Sequence, residues 1–326
     1  MARMLARAYW TIAAGRGELR PEQLPTPGPD EALIRTLCTG ISRGTESVVH
    51  RGAVPDAVAD LMRAPFQAGD FPWPVKYGYL NVGVVEEGPD GWAGQRVFSL
   101  FGHQDRYVLP VEALTPVPDD VPDERAVLAG TVETAVNVVW DAAPCYGDRV
   151  AVVGMGMVGA SVAALLADFP LARLQLVEID PARAALCERL GIEWTSPEDA
   201  LGDCDLVVHC SASEEGLATA LRLAGTDAEV IEVSWFGDNQ PRVPLGADFH
   251  ARRLRIWASQ VGGVALVRRH RRTTADRLAL ALEALRDARF DALLGEGCDF
   301  ADLPAYMSRL ADGESVAGLC PVVRYP

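Results

Sequence analysis

Three glycines and one carboxylate are the residues of this chain best spaced to do chemistry. Gly154, Gly156 and Gly159 stand in the string Gly-Met-Gly-Met-Val-Gly, directly after the apolar run Arg-Val-Ala-Val-Val and at the head of a small-residue run suited to a helix. In that context the first glycine permits a tight turn, the second lets backbone approach a diphosphate, and the third lets helix pack on strand. Gly154, Gly156, Met157, Val158 and Gly159 are therefore the expected diphosphate contacts, with the helix N-terminus supplying N–H donors and a positive dipole. Glu178 ends the next apolar run, about 20 residues further on, where an acid accepts hydrogen bonds from adenosine ribose hydroxyls. A carboxylate there repels a 2′-phosphate, so the expected cofactor is NAD(H) in preference to NADP(H). Arg183 follows closely enough to reach the same ribose. The plainer alternatives are a solvated strand end for Glu178 and a surface helix charge for Arg183.

The elements that must position these residues follow from the texture of the chain. Residues 1–125 are β-rich and broken by Pro-Thr-Pro-Gly-Pro-Asp, Gly-Pro-Asp-Gly and Pro-Val-Pro-Asp-Asp, with strands predicted at 31–38, 80–86, 95–100 and 106–109. From residue 126 strands and helices alternate. Strands are predicted at 149–153, 174–179, 205–209 and 229–233, and helices at 158–168, 181–190 and 216–224. That alternation is the pattern of a doubly wound parallel sheet, so the fold class is α/β. An amphipathic helix over 273–286 and a small mixed tail complete the chain. The expected domains are 1–125, 126–262 and a closing segment, 263–326.

Composition narrows the partners. The 326 residues carry a net charge of −15, which argues against nucleic acid or an anionic membrane surface as the main ligand. The uncharged stretch 150–167 is long enough to suggest a membrane span, but its glycines and β-branched start suit strand, turn and buried helix better. Seven cysteines without a Cys-x-x-Cys pair suggest free thiols in a reducing compartment, and the first ten residues lack the apolar run of a secretory leader. A cytoplasmic location is expected. Lys76 is the only lysine among 30 basic residues.

Several strings resemble the medium-chain dehydrogenase/reductase superfamily over nearly the whole chain. Residues 31–47 resemble the strand leading to the first catalytic zinc ligand of that family. Pro-Val-Lys-Tyr-Gly-Tyr-Leu-Asn-Val-Gly, from Pro74, resembles the segment carrying the second. Gly-Gln-Arg-Val and Trp-Ala-Ser-Gln-Val-Gly-Gly match two further family strands. The resemblance implies a GroES-like catalytic domain interrupted by a Rossmann domain, with an active-site cleft between them, an alcohol or carbonyl substrate, and a homodimer formed through the edge strand near 254–261. The details are most similar to a bacterial subgroup that includes bacteriochlorophyllide hydroxyethyl dehydrogenases.

The departures from the family pattern matter as much. Ser42 stands where the ligating cysteine belongs, Gly78-Tyr79-Leu80 replaces Gly-His-Glu, and Ala129-Gly130-Thr131 occupies the region of the third ligand. Only 101–106 remains where the four-cysteine lobe would be. Tetrahedral zinc takes Cys, His or carboxylate ligands, so no metal and no zinc is expected. Hydride transfer without a Lewis acid needs hydrogen-bond donors or a cation at the substrate oxygen. By the resemblance, Tyr79 faces the cleft as acid or base, with Lys76 as the cation lowering its pKa and Glu133 pairing with Lys76 or relaying a proton. Thr45 is the expected hydroxyl relay, His103 the expected pocket-lining residue, and Thr134 the expected holder of the nicotinamide end. His209, His250 and His270 are weaker candidates, the first as the end of a core strand. The alternatives kept open are an NAD(P)H-dependent enone or quinone reductase and a non-catalytic nucleotide-binding sensor.

Overall fold

The computed structural model describes residues 4–314 and 316–326. The chain forms two compact units, one comprising Met1–Gly130 and Leu294–Pro326, the other Thr131–Leu293.

The discontinuous unit is β-rich. Its larger sheet runs in the order Leu294–Asp299, Cys320–Arg324, Glu31–Gly40, Asn81–Glu87, Arg96–Ser99, Thr115–Pro116, and Arg106–Pro110 also pairs with Glu31–Gly40. Glu31–Gly40 is thus a hub, antiparallel to three partners, and its apolar residues explain why: Ala32 and Ile34 bury fully against Val85, Val97, Tyr107 and Leu109. A smaller sheet is led by Leu5–Ala13 and Arg16–Gln23, a hairpin whose polar second strand hides its alternation from a sequence reading.

The continuous unit carries six strands, all parallel, in the order Glu193–Thr195, Arg173–Val177, Arg149–Val153, Cys204–His209, Ala224–Glu232, Arg255–Ala258. This is the doubly wound order, with its switch point between Arg149–Val153 and Cys204–His209. Val150, Ala151, Val152 and Val153 are all buried, as expected for a strand covered on both faces. The helix Met157–Leu166 follows. Its ten residues span about 15 Å, half a bilayer core, and among the described residues no helix is long and apolar enough to cross a membrane.

Both boundaries differ from those expected. Residues 263–293 pack within the continuous unit, and the chain returns to the β-rich unit only at Leu294. The reason lies on the helix Thr274–Ala284, which opens with a Thr273/Asp276 capping box. Its Arg277 side chain is 1% exposed and donates to Glu133 Oε1 at 2.8 and 3.0 Å, to Asn137 Oδ1 at 2.6 Å, and to the carbonyls of Val261 and Gly263. A buried guanidinium with that many acceptors anchors the whole segment. The first boundary falls after Gly130, five residues beyond the expected 125, within the helix Ala129–Ala142.

Candidate functional site

In the continuous unit the three glycines do three different jobs. Gly154 leaves the strand at φ +100°, and a Cβ there would stand 2.7 Å from the Ser211 backbone. Gly159 packs so closely that its Cβ would lie 2.0 Å from the Gly154 carbonyl oxygen. Gly156 has φ −78°, which any residue adopts, and a Cβ there would meet nothing within 4 Å. It needs no glycine for its own fold, so the open space in front of it suits a ligand. No side chain caps the helix that starts at Met157. The N–H groups of Met157, Val158 and Gly159 therefore have the disposition a diphosphate requires.

Glu178 sits one residue past the strand Arg173–Val177 and is 8% exposed. Its carboxylate accepts from the Met155 N–H at 2.9 Å, the Asp180 N–H at 3.0 Å and Arg183 Nη1 at 3.2 Å. It is built into the glycine turn and is not a solvated strand end. Arg183 also donates to the Met155 carbonyl and approaches Asp180 at 3.6 Å, so it too belongs to this turn. The residues present therefore fit a dinucleotide: a bare backbone cradle, an uncapped helix start and a fixed carboxylate.

In the β-rich unit, Ser42 ends the strand-to-helix connection and serves as N-cap residue of Arg43–Arg51. The Tyr79 hydroxyl donates to Ser42 Oγ at 2.6 Å and lies within reach of Thr45. Burial pushes the Tyr79 phenol up to about 12, its hydrogen bonding with Ser42 and Thr45 pulls it down in part, and the nearby Glu46 charge adds to the rise. Behind this trio Glu46, 3% exposed, accepts the Ser42 N–H at 2.7 Å and holds His103 Nε2 at 2.9 Å. His103 Nδ1 in turn pairs with Thr39 Oγ1 at 2.6 Å. Glu46 was not among the residues picked out from sequence. Its signal is the Ser-x-x-x-Glu spacing at a helix start, which resembles an N-terminal capping pattern.

Three sequence expectations need correction. Lys76 is not the cation beside Tyr79: its ammonium is buried between Glu22 and Gln104, each 2.7 Å away, with the Trp10 and Phe101 rings over it. Glu133 pairs with Arg277, not with Lys76. His103 is 1% exposed with both ring nitrogens engaged, so it supports Glu46 and does not line a pocket. Thr134 is half-buried on the helix Ala129–Ala142. Among the described residues no three His, Cys, Asp or Glu side chains stand close enough to hold a metal ion, and Ser42 and Tyr79 do not form the thiolate and imidazole set that zinc prefers.

No family model matches the chain. It is 28% identical over 119 residues to an L-threonine 3-dehydrogenase of Mesorhizobium japonicum, a match covering 36% of this chain and 33% of that protein. The matched stretch thus spans about a third of that curated relative's length. Solved structures agree with the whole chain. A short chain alcohol dehydrogenase of Escherichia coli CFT073 in complex with NADH aligns over 98% of this chain and 99% of its own, with TM-score 0.75 and 16% identity. A protein of Sinorhizobium meliloti 1021 described as a zinc-binding dehydrogenase, bound to NADP, aligns over 99% and 100%, with TM-score 0.76 and 18% identity. The chain has the α/β fold of the medium-chain alcohol dehydrogenases, a GroES-like unit interrupted by a Rossmann unit.

Proposed function

We propose that this chain is an oxidoreductase that moves a hydride between NAD(H) and an alcohol or ketone without zinc. The observation that carries the reading is Gly156, a glycine with no conformational or packing need of its own, set between two glycines that have both. Bound NAD(H) supplies or takes up the hydride. The first-turn N–H groups of Met157, Val158 and Gly159 hold the diphosphate, and Glu178 accepts from the ribose hydroxyls. The turn carries two carboxylates, Glu178 and Asp180, against one guanidinium, Arg183. That excess of negative charge disfavours a 2′-phosphate and supports NAD(H) over NADP(H).

At the substrate oxygen, Tyr79 acts as a neutral acid: burial keeps its single proton in place, and the hydroxyl turns from Ser42 Oγ to the substrate to donate it. Ser42 and Thr45 orient its hydroxyl, and Glu46 with His103 fixes Ser42. Ser42 and Tyr79 at the positions of two zinc ligands support zinc independence. An alcohol or ketone substrate is supported by the dehydrogenase relatives. The outer edge of strand Arg255–Ala258 bears no strand among the described residues and supports a homodimer. Seven free thiols support a reducing, cytoplasmic setting.

Calorimetry with NADH and NADPH, followed by alcohol-dependent NAD⁺ reduction across small and aromatic alcohols, tests the proposal. NADH binding tighter than NADPH with alcohol turnover is expected. Turnover only of enones with NADH makes the chain a double-bond reductase. Binding without turnover leaves a sensor, and no uptake of either dinucleotide removes the reading altogether.

A further inference from the structure

A second constellation lies at the carboxyl ends of the parallel strands in the continuous unit. His209 closes Cys204–His209 and is paired in register with Glu232, which closes Ala224–Glu232. His209 Nδ1 lies 2.7 Å from Glu232 Oε2, and Nε2 lies 2.6 Å from Ser211 Oγ. A carboxylate can only accept, so the imidazole proton sits on Nδ1 and Nε2 is left to accept from the serine hydroxyl. The ring is fully buried, while Ser211 is partly exposed.

The backbone around Ser211 is shaped for this cluster. Ser211 stands on a sharp turn from the strand into the helix Glu214–Leu223, and Ala212 holds φ +51°, a left-handed conformation that is strained for a side-chain-bearing residue. The Ala212 N–H donates to Ser234 Oγ at 3.0 Å, which secures the turn. A Cβ on Gly216 would stand 2.0 Å from Ser211 Oγ and 3.0 Å from His209 Nε2, so glycine there keeps the hydroxyl in place. Ser213 adds its N–H at 3.3 Å and its hydroxyl at 2.9 Å to Ser211 Oγ.

A hydroxyl becomes a nucleophile when a base takes its proton, an anion orients the base, and a strained strand-to-helix turn presents it. The base and the orienting anion are in place here, and the strained backbone lies at Ala212 beside the serine, on residues that the hydride-transfer reading does not use. We propose that Ser211 is an acyl-accepting nucleophile, with His209 as its base and Glu232 orienting the ring, and that it hydrolyses small neutral carboxylic esters. Ser211 Oγ bonds to the carbonyl carbon as its proton passes to His209 Nε2. The bond to the leaving alcohol breaks as His209 returns that proton to it. Water, deprotonated by His209, then adds to the acyl carbon, and His209 hands that proton to Ser211 Oγ as its bond to the acyl carbon breaks, releasing the acid and the free serine. Glu214 and Glu215 at the helix start, with Glu232, disfavour anionic acyl or phosphoryl donors.

Full-length protein treated with a fluorophosphonate probe and mapped by peptide mass spectrometry is expected to carry the label on Ser211 and to release nitrophenol from p-nitrophenyl acetate. Ser211→Ala abolishes both. Glu232→Gln slows labelling by at least about a hundredfold, as loss of the orienting carboxylate does in other triads, and His209→Asn does the same should Glu232→Gln not fold. Absence of label on Ser211 in the unmutated protein, or equal labelling in a folded Glu232→Gln variant, overturns the proposal. Either result leaves the NADH measurements untouched.

Discussion

Replacing Gly156 by alanine separates a ligand-binding glycine from a folding glycine. Its φ of −78° accepts alanine and its Cβ would touch nothing within 4 Å. Two small effects oppose each other in the free protein. Less freedom in the unfolded chain stabilises by about 0.4–1 kcal/mol, and alanine is poorer than glycine as an N-cap residue by roughly 0.5–1 kcal/mol. The net is near zero, so the melting temperature should stay within about 4 °C. With dinucleotide present the new methyl stands where the diphosphate approaches the backbone. Loss of one charge-assisted hydrogen bond costs about 1.5–3 kcal/mol, roughly a ten- to hundredfold rise in the NADH Kd. Gly159→Ala is the converse control, since its Cβ would lie 2.0 Å from the Gly154 carbonyl oxygen. It should lose about 1–3 kcal/mol of stability by overpacking. Calorimetric titration and thermal melts of both variants decide the matter. A Gly156→Ala protein that binds NADH like its parent would refute the assignment of the cradle.

Tyr79→Phe should cut alcohol turnover by about 10²–10⁴-fold with the NADH Kd unchanged, and unaltered turnover returns Tyr79 to a packing role. Because burial raises the Tyr79 phenol from 10.0 to about 12, its contribution to stability is complete below pH 10 and disappears as pH climbs through 12. Melting temperatures should therefore fall over that window, less steeply in Tyr79→Phe, and parallel curves would contradict the assigned burial. Arg277→Met strands the buried Glu133 carboxylate and should destabilise by about 3–5 kcal/mol, partly restored by adding Glu133→Gln; a loss under about 1 kcal/mol means the pair is not buried in solution. Prolonged chelation should alter neither activity nor melting temperature, and stoichiometric zinc by elemental analysis would remove the metal-free reading.

What could be seen in the sequence was whatever depends on near neighbours. The glycine spacing, the apolar strand before it and the carboxylate after it lie within one strand–helix–strand unit, and their geometry follows from local backbone rules. Pairings across long stretches of chain were not visible. Glu133 finds Arg277 across 144 positions, and Glu46 finds His103 across 57. Lys76 lies near Tyr79 in sequence, but the strand Val75–Lys76 ends there and Gly78, at φ +125°, turns the chain before Tyr79, so the two side chains meet different partners. The helix 273–286 was legible as amphipathic, but an apolar stripe does not say which surface it covers, hence the misplaced return at 263. His209 is a weaker candidate in sequence because a histidine ending a core strand is ordinarily just buried; its Glu232 partner comes from the neighbouring strand, visible only once register is known.

The antiparallel pairing of Cys320–Arg324 with the hub strand Glu31–Gly40 has a consequence for biosynthesis. A ribosome delivers the parallel-sheet half as one uninterrupted stretch, complete once Leu293 emerges. The earlier strands, although made first, must wait for Leu294–Asp299 and Cys320–Arg324 before their sheet gains these members. During that interval the Cys38–Gly40 end of the hub lacks its partner and is open to wrong neighbours, which makes pairing of Cys320–Arg324 the step most exposed to chaperone assistance.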